Sequence, residues 1–148
     1  MSDLPALHHA ALAEMAGASL FSMMRLRQDV FVVEQDCAYP DMDDLDAEPE
    51  TVHLWAEDGG DVVSCLRLYP YEDGWKIGRV CTAADHRGTG LSARLMAEAV
   101  ALKDPAAMVL DSQTYAMGFY AKHGFEPVGE EFLEDGIPHR RMRRAPRS

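Results

Sequence analysis

The chain has 148 residues, of which 47% are hydrophobic and 26% charged, a globular composition for one domain spanning residues 1–148. Lys plus Arg number 14 against 25 for Asp plus Glu, so the net charge is −11. That balance argues against general binding to nucleic acid or to an anionic membrane, where basic surface supplies the affinity. Cys37, Cys65 and Cys81 form no CxxC pair and are odd in number. Reduced thiols in a cytoplasmic protein are expected, not a disulfide framework. No basic N-terminal segment precedes an apolar run, and the charge-free stretches, such as Met15 to Met24, are too short to span a bilayer.

In chain order, Leu7 to Leu12 predicts a first strand. Ala18 to Val30 predicts a helix, with Leu20, Met23 and Met24 on one face. Asp36 to Glu50, with Pro40 and Pro49, reads as loop. Eight acids and no Lys or Arg lie between Glu34 and Glu50. Such a run is either a solvated loop or an acidic rim that attracts a cationic substrate. Val52 to Glu57 and Asp61 to Tyr69 are β-rich runs around Asp58-Gly59-Gly60, a hairpin signal. Trp75 to Thr82 follows the Asp73-Gly74 turn as another strand. Leu91 to Leu102 predicts a strong helix, Ala107 to Leu110 a short buried strand, and Tyr115 to Lys122 a short helix stopped at Gly124. Glu126 to Leu133 and His139 to Arg143 flank the turn Asp135-Gly136. This order predicts an α/β fold whose sheet holds both parallel and antiparallel pairs.

The segment Arg87-Gly88-Thr89-Gly90-Leu91-Ser92 follows a strand and opens a helix. Its glycines let the chain turn tightly and let a ligand approach the main chain. The first helical turn offers unpaired N–H groups and a positive dipole end. No acid occurs between Asp85 and Glu98, which suits an anion such as phosphate or pyrophosphate. A ligand-free glycine turn is the plainer alternative. A P-loop is excluded because Gly-Lys-Ser/Thr is missing. Gly88-x-Gly90-x-x-Ala93 with Asp111 fits a dinucleotide fingerprint, but the glycines come late after the strand and only 37 residues follow Asp111.

Arg87-x-x-Gly90-x-Ser92 resembles the Arg/Gln-x-x-Gly-x-Gly/Ala signature of the GNAT acetyltransferases, with Ser92 in place of Gly or Ala. Gln113-x-x-Ala116-x-x-Phe119-Tyr120-x-x-x-Gly124-Phe125 resembles a second segment of that family, with Gln where Asn is commoner. Leu26-Arg27-x-x-Val30-Phe31-Val32-Val33-Glu34-Gln35 and Asp135-Gly136-Ile137-Pro138-His139 resemble its ElaA-like branch. The resemblance runs from about Leu7 to Arg144. It implies a single-domain GNAT fold: a mixed, twisted sheet with helices on both faces, splayed open between the strands near Val80 and Ala107.

It also implies transfer of an acetyl group from acetyl-CoA to an amine by direct attack in a ternary complex. Arg87, Gly88, Thr89, Gly90, Leu91 and Ser92 would then cradle the pyrophosphate, mainly through main-chain N–H groups. Val80, Cys81 and Thr82 would pair with the pantetheine arm and offer an oxyanion donor. Gln113 and Phe119 would complete the cofactor site. Tyr120, with Tyr115 as the nearest false alternative, would protonate the leaving thiolate, or else simply pack in the core. An alkyl ammonium needs a base before it can attack, and Glu34, His53 and Asp111 compete for that role. Glu34 follows Val32-Val33, a hydrophobic setting that would raise its pKa; the alternative is a capping or salt-bridging carboxylate, with Arg27 the candidate partner.

Arg79, one residue before Val80, is placed by alternation on the opposite face, to meet acids or the acceptor. His139 reads as a turn histidine or an acceptor-site residue. The histidines lack metal-site spacing, so no metal is expected. The expected partner is a small-molecule or peptide amine, cationic if the acidic run contacts it. A homodimer is left open. Two other classes remain in play: a CoA-binding sensor without turnover, and a thioester hydrolase using Cys81.

Overall fold

The computed structural model describes residues 4–147. In chain order it holds β1 (Ala6–Ala10), α1 (Gly17–Arg27), β2 (Val52–Asp58), β3 (Asp61–Tyr71), β4 (Gly74–Thr82), α2 (Leu91–Lys103), β5 (Met108–Gln113), α3 (Met117–Ala121), β6 (Glu126–Pro127), β7 (Phe132–Glu134) and β8 (Ile137–Arg144). Asp58-Gly59-Gly60-Asp61 turns the chain between β2 and β3, with Gly59 and Gly60 at positive φ as such a turn requires. The strands form one sheet in the order β1-β2-β3-β4-β5-β8-β6, and β7 also pairs with β8. Every described pairing is antiparallel except β4 with β5. A parallel pair needs a crossover, and α2 supplies it.

Helices cover both faces of the sheet, each over its own core. On one face Met23, Leu26 and Val30 from α1 and its extension pack on Trp55, Val62, Cys65 and Cys81. On the other, Leu95, Met96 and Ala99 of α2 pack on Leu54, Leu66, Leu68, Ile77 and Leu110. Met96 and Ala99 are wholly buried. Burying each large apolar side chain contributes about 1.5–3 kcal/mol, which is how the apolar periodicity of α2 fixes its facing.

The helix predicted over Ala18 to Val30 runs as α-helix only to Arg27. It continues as a π-turn over Gln28–Glu34. Main-chain bonds from Gln35 to Val30 and from Cys37 to Val32 span five residues. Four β-branched or aromatic residues in a row, Val30 to Val33, make this a poor place for a regular α-turn. The strand predicted over Glu126 to Leu133 is broken into β6 and β7, because Gly129 at positive φ sits between them.

Two irregularities in β4 shape the centre of the sheet. β4 pairs with β5 through Trp75–Met108, Lys76–Val109 and Ile77–Leu110 and no further. The sheet is therefore splayed between the expected strands, but at the end away from Ala107, whose carbonyl accepts a bond from Trp75 N–H. The second is a bulge. Cys65 pairs with Cys81 and Arg67 with Gly78, so Leu66 alone opposes Arg79 and Val80. Arg79 takes φ 51, a left-handed backbone that costs about 1–3 kcal/mol in a non-glycine residue. The alternation argument for Arg79 fails here, because a bulge breaks the two-residue period.

Candidate functional site

The splay opens a cavity of about 710 Å³ that passes between β4 and β5. Its walls include Gly78 to Thr82 of β4, Leu110, Asp111 and Gln113 of β5, Phe119 and Tyr120 of α3, and Ile137 and His139 of β8. Past Ile77, β4 has lost its partner on this side, so its main-chain groups face the cavity rather than a neighbouring strand. Val80, Cys81, Thr82, Gln113, Phe119 and Tyr120 are thus brought together as expected.

At one end of the cavity stands the start of α2. Gly90 is its N-cap, with φ 82 and ψ 6, and no side chain caps the helix. The first turn contains no acid, so its N–H groups and dipole end are uncompensated. A Cβ at Gly88 or Gly90 would meet nothing within 4 Å. The need for glycine there is conformational, both having positive φ. Arg87 and Ser92 line the cavity, whereas Gly88, Thr89, Gly90 and Leu91 lie just beyond its walls. Leu91 is buried beside Ala56 and Val63, so only its main chain can meet a ligand. Thr89 Oγ1 donates to the carbonyl of His86 at 2.6 Å, which ties the turn to itself.

Ser92 has a structural reason to differ from Gly or Ala. Its hydroxyl bonds the Thr82 hydroxyl, Thr82 bonds Ser64 Oγ at 2.8 Å, and Ser64 Oγ donates to the Cys81 carbonyl at 3.1 Å. This chain of hydroxyls fastens the tip of α2 to the last residues of β4. It fixes the spacing between the helix tip and the open strand edge.

Tyr120 is half-buried among Phe119 and Phe125, its ring meeting Phe119 edge-on at 5.1 Å. Among the described residues its hydroxyl has no hydrogen-bond partner, and burial pushes its pKa up, so it is a neutral phenol facing the cavity. Tyr115 stands at the mouth, 83% exposed.

The predicted bases fare differently. Glu34 is not in an apolar setting: its side chain is 47% exposed and meets Arg87, with Nη1 to Oε2 at 2.9 Å and Nη2 to Oε1 at 2.9 Å. The hydrogen bond from Arg87 holds its carboxyl below the ordinary value, the reverse of the expected shift. Val32 and Val33 do not enclose it because the π-turn points Val33 outward, where it is 65% exposed. His53 is buried outside the cavity walls, and its Nε2 donates to the Asp46 carbonyl at 2.9 Å. Burial pushes its pKa down. Asp111 does line the cavity, but it is bound by Arg141 at 2.7 Å and by Lys76 at 3.0 Å. Burial works against its charge, and those two cations outweigh burial and hold the carboxyl low. Neither His53 nor Asp111 is placed to take a proton from an acceptor. Cys81 Sγ lies 3.6 Å from Cys65 Sγ, and that thiol together with burial pushes its pKa well up. A protonated, buried thiol is a poor nucleophile, which removes the hydrolase reading's reactive group.

The acidic run 34–50 is solvated in part, with Asp36, Asp44, Glu48 and Glu50 exposed, while Asp41, Asp43 and Asp46 are held by arginines rather than presented as a free acidic rim. Arg27, only 1% exposed, binds Asp41 Oδ2 at 2.9 Å and Asp46 Oδ1 at 2.8 Å. Arg67 binds Asp43 at 2.6 Å and Asp46 at 3.0 Å, and Arg79 binds Asp41 at 3.0 Å. Three arginines thus neutralise three aspartates, and the bulge at Arg79 aims its guanidinium into this knot. The sequence carried a partial signal for it: Arg67, embedded in the apolar run Cys65-Leu66-Arg67-Leu68, needs a partner, and an arginine-free acidic stretch supplies one. No such signal marks Phe31, Cys37 and Tyr39, which also line the cavity.

His139 is 8% exposed, and its ring stacks on Phe132 at 5.9 Å. Its Nδ1 lies 2.7 Å from the Ile137 carbonyl, and its Nε2 lies 3.6 Å from Glu134 Oε2. It is thus part of the cavity wall contributed by the β7–β8 hairpin.

Residues 17–145 match the family model described as an acetyltransferase (GNAT) domain. A UPF0039 protein of Mycobacterium tuberculosis is 42% identical over 139 residues, 90% of this chain and 89% of the relative. Protein ElaA of Escherichia coli is 32% identical over 145 residues, 93% of each chain. Among solved structures, an acyl-CoA N-acyltransferase from Pseudomonas aeruginosa superposes with TM-score 0.89 at 36% identity, over 96% of this chain and 100% of that one. The crystal structure of Escherichia coli ElaA does so with TM-score 0.88 at 28% identity, over 95% and 99%.

Proposed function

The chain belongs to the GNAT acetyltransferase family, with an ElaA-like sequence and fold, and on that premise we propose that it transfers an acetyl group from acetyl-CoA to a primary amine. The observation that carries this reading is the shared cavity: Arg87 and Ser92, which flank an uncapped helix start, an unpaired strand edge and a neutral phenol all line one space.

We assign the roles as follows, each supported by position around the cavity. Main-chain N–H groups of Arg87 to Ser92 bind the pyrophosphate, helped by the α2 dipole. The open edge of β4, from Val80 to Thr82, pairs with the pantetheine arm in the manner of an added strand. A β4 N–H beside the bulge serves the thioester oxygen as charge develops on it. Gln113 and Phe119 wall the far side of the arm. The amine attacks the carbonyl carbon, the C–S bond breaks, and the Tyr120 hydroxyl gives its proton to the departing thiolate. Burial keeps the phenol protonated at neutral pH, so it has a proton to give; transfer to a thiolate whose own pKa is about 8.5 is uphill by itself and is driven by the far more acidic proton that the new amide nitrogen returns to the phenol oxygen.

Glu34 serves here as the partner of Arg87, holding that side chain against the Thr82 carbonyl, which Arg87 Nε reaches at 3.0 Å. The acceptor enters from the β7–β8 side, past Glu134, Asp135 and His139, and a cationic amine suits those carboxylates. The test is a thiol-release assay with acetyl-CoA against a panel of primary amines, including spermidine, blocked lysine, amino sugars and glycinamide. Thiol release that depends on the amine, with the acetylated amine seen by mass spectrometry, is the expected result. Acetyl-CoA binding without turnover would favour a sensor instead.

A further inference from the structure

Of the five carboxylates that wall the cavity, Glu134 and Asp135 of the β7–β8 hairpin lie against no arginine or lysine among the described residues, and the other three are committed to one. Glu34 is bound by Arg87, Asp43 by Arg67, and Asp111 by Lys76 and Arg141. Cys81 is a protonated thiol. His139 differs. The Ile137 carbonyl can only accept a hydrogen bond, so Nδ1, at 2.7 Å, must be the nitrogen that carries hydrogen. In the neutral ring that fixes the other nitrogen, Nε2, as a bare lone pair. The stacked Phe132 ring and the pairing of β8 with both β5 and β7 hold the imidazole in this orientation. The nearest charged group to Nε2 is Glu134, at 3.6 Å, too long for a hydrogen bond and with its side chain 55% exposed. An exposed carboxylate beside a fixed lone pair is a receiving point for an ammonium ion.

We infer that His139 Nε2 is the general base that deprotonates the acceptor amine, with Glu134 drawing the cationic acceptor to it. This rests on the acetyl-transfer reading above. In the step, an acceptor ammonium gives one proton to Nε2 and becomes a neutral amine. Its nitrogen then bonds the carbonyl carbon, the C–S bond breaks, and the thiolate takes the Tyr120 proton. The surplus proton on the new amide nitrogen restores the Tyr120 hydroxyl, and the imidazolium releases its proton to water. The sum is one amide, one free thiol and one proton.

The experiment compares wild type with His139→Asn, whose amide N–H can still donate to the Ile137 carbonyl but which carries no base. Acceptors of unequal basicity are used at pH 7: spermidine and blocked lysine, with pKa values of about 10, and glycinamide, at about 8. The expected result is a fall in kcat/KM of about a hundredfold or more for the alkylamines, and a much smaller fall for glycinamide, which is already partly neutral. A merely structural histidine would give equal losses for both kinds. Equal losses, or no loss, overturn the base assignment while leaving the transferase reading standing. No turnover by wild type of any of these amines overturns the transferase reading and this assignment together. Should His139→Asn lose acetyl-CoA binding by calorimetry, His139→Gln is read by the same comparison.

Discussion

Arg87 lies across the Glu34 carboxylate with two nitrogen–oxygen contacts of 2.9 Å, while its Nε reaches back to the Thr82 carbonyl at 3.0 Å. One side chain thus joins the end of the π-turn to the end of β4, immediately beside the helix tip. The pair is half-exposed, so it adds only about 0–1 kcal/mol to stability. Its greater effect is electrostatic, since a carboxylate stands next to the proposed pyrophosphate site. Glu34→Gln is expected to leave thermal stability nearly unchanged and to lower the KM for acetyl-CoA about two- to fivefold at low salt, with the difference shrinking above about 0.3 M salt. Steady-state kinetics at two ionic strengths check this. A collapse of kcat instead would restore Glu34 as a base.

Tyr120→Phe removes one oxygen that has no protein partner among the described residues, so the fold should be kept. The thiolate then leaves unprotonated. A fall in kcat of about a hundredfold, with the dissociation constant for acetyl-CoA held within about twofold, is expected. Calorimetry together with the thiol-release assay separates the two quantities.

Gly90→Ala isolates the backbone requirement at the helix tip. A methyl group there has open space around it, yet it must sit at φ 82. A cost of about 1–2 kcal/mol in unfolding free energy is expected, along with weaker acetyl-CoA binding as the first-turn N–H groups turn away. Denaturant titration with and without acetyl-CoA reads both effects.

The arginine–aspartate knot predicts an acid-labile fold. Burial opposes the charge of Asp46, but the hydrogen bond from Arg27 and the charges around it outweigh that and lower its pKa from 3.8 to about 2. A folded-state pKa below the unfolded one means the unfolded chain binds the proton more tightly. The stabilisation is therefore complete above about pH 4 and is lost as pH falls through about 2, an effect of roughly 2 kcal/mol for this one group. Melting temperature followed from pH 5 to pH 2 should drop steeply. Asp46→Asn should be less stable at pH 7 and should flatten that slope; an unchanged slope would remove Asp46 from the account.

Much of the fold was legible in the sequence because it rests on local signals. The turn Asp58-Gly59-Gly60, the apolar periodicity of α2 and the bare glycine turn before it are written within a few residues each. Tyr120 and Gln113 were reached through the spacing of a family segment. What escaped were features made by long-range pairing. The bulge at Arg79 depends on how β4 registers against β3. The salt-bridging alternative for Glu34 holds, but with Arg87, 53 positions away, rather than the nearby Arg27, which is taken by Asp41 and Asp46. Within an otherwise solvated acidic run, the clamping of Asp41, Asp43 and Asp46 was hidden because their three arginine partners lie on other elements.

That knot has a further consequence for how acceptors are chosen. With Asp41, Asp43 and Asp46 each clamped by a guanidinium, the segment over one side of the cavity is a fixed jaw. The facing side is a short ribbon whose strand β7 is exposed at all three residues. Discrimination between one amine and another therefore falls to the ribbon, and sequence drift at its tip can retune the choice of acceptor without disturbing the grip on the thioester carrier.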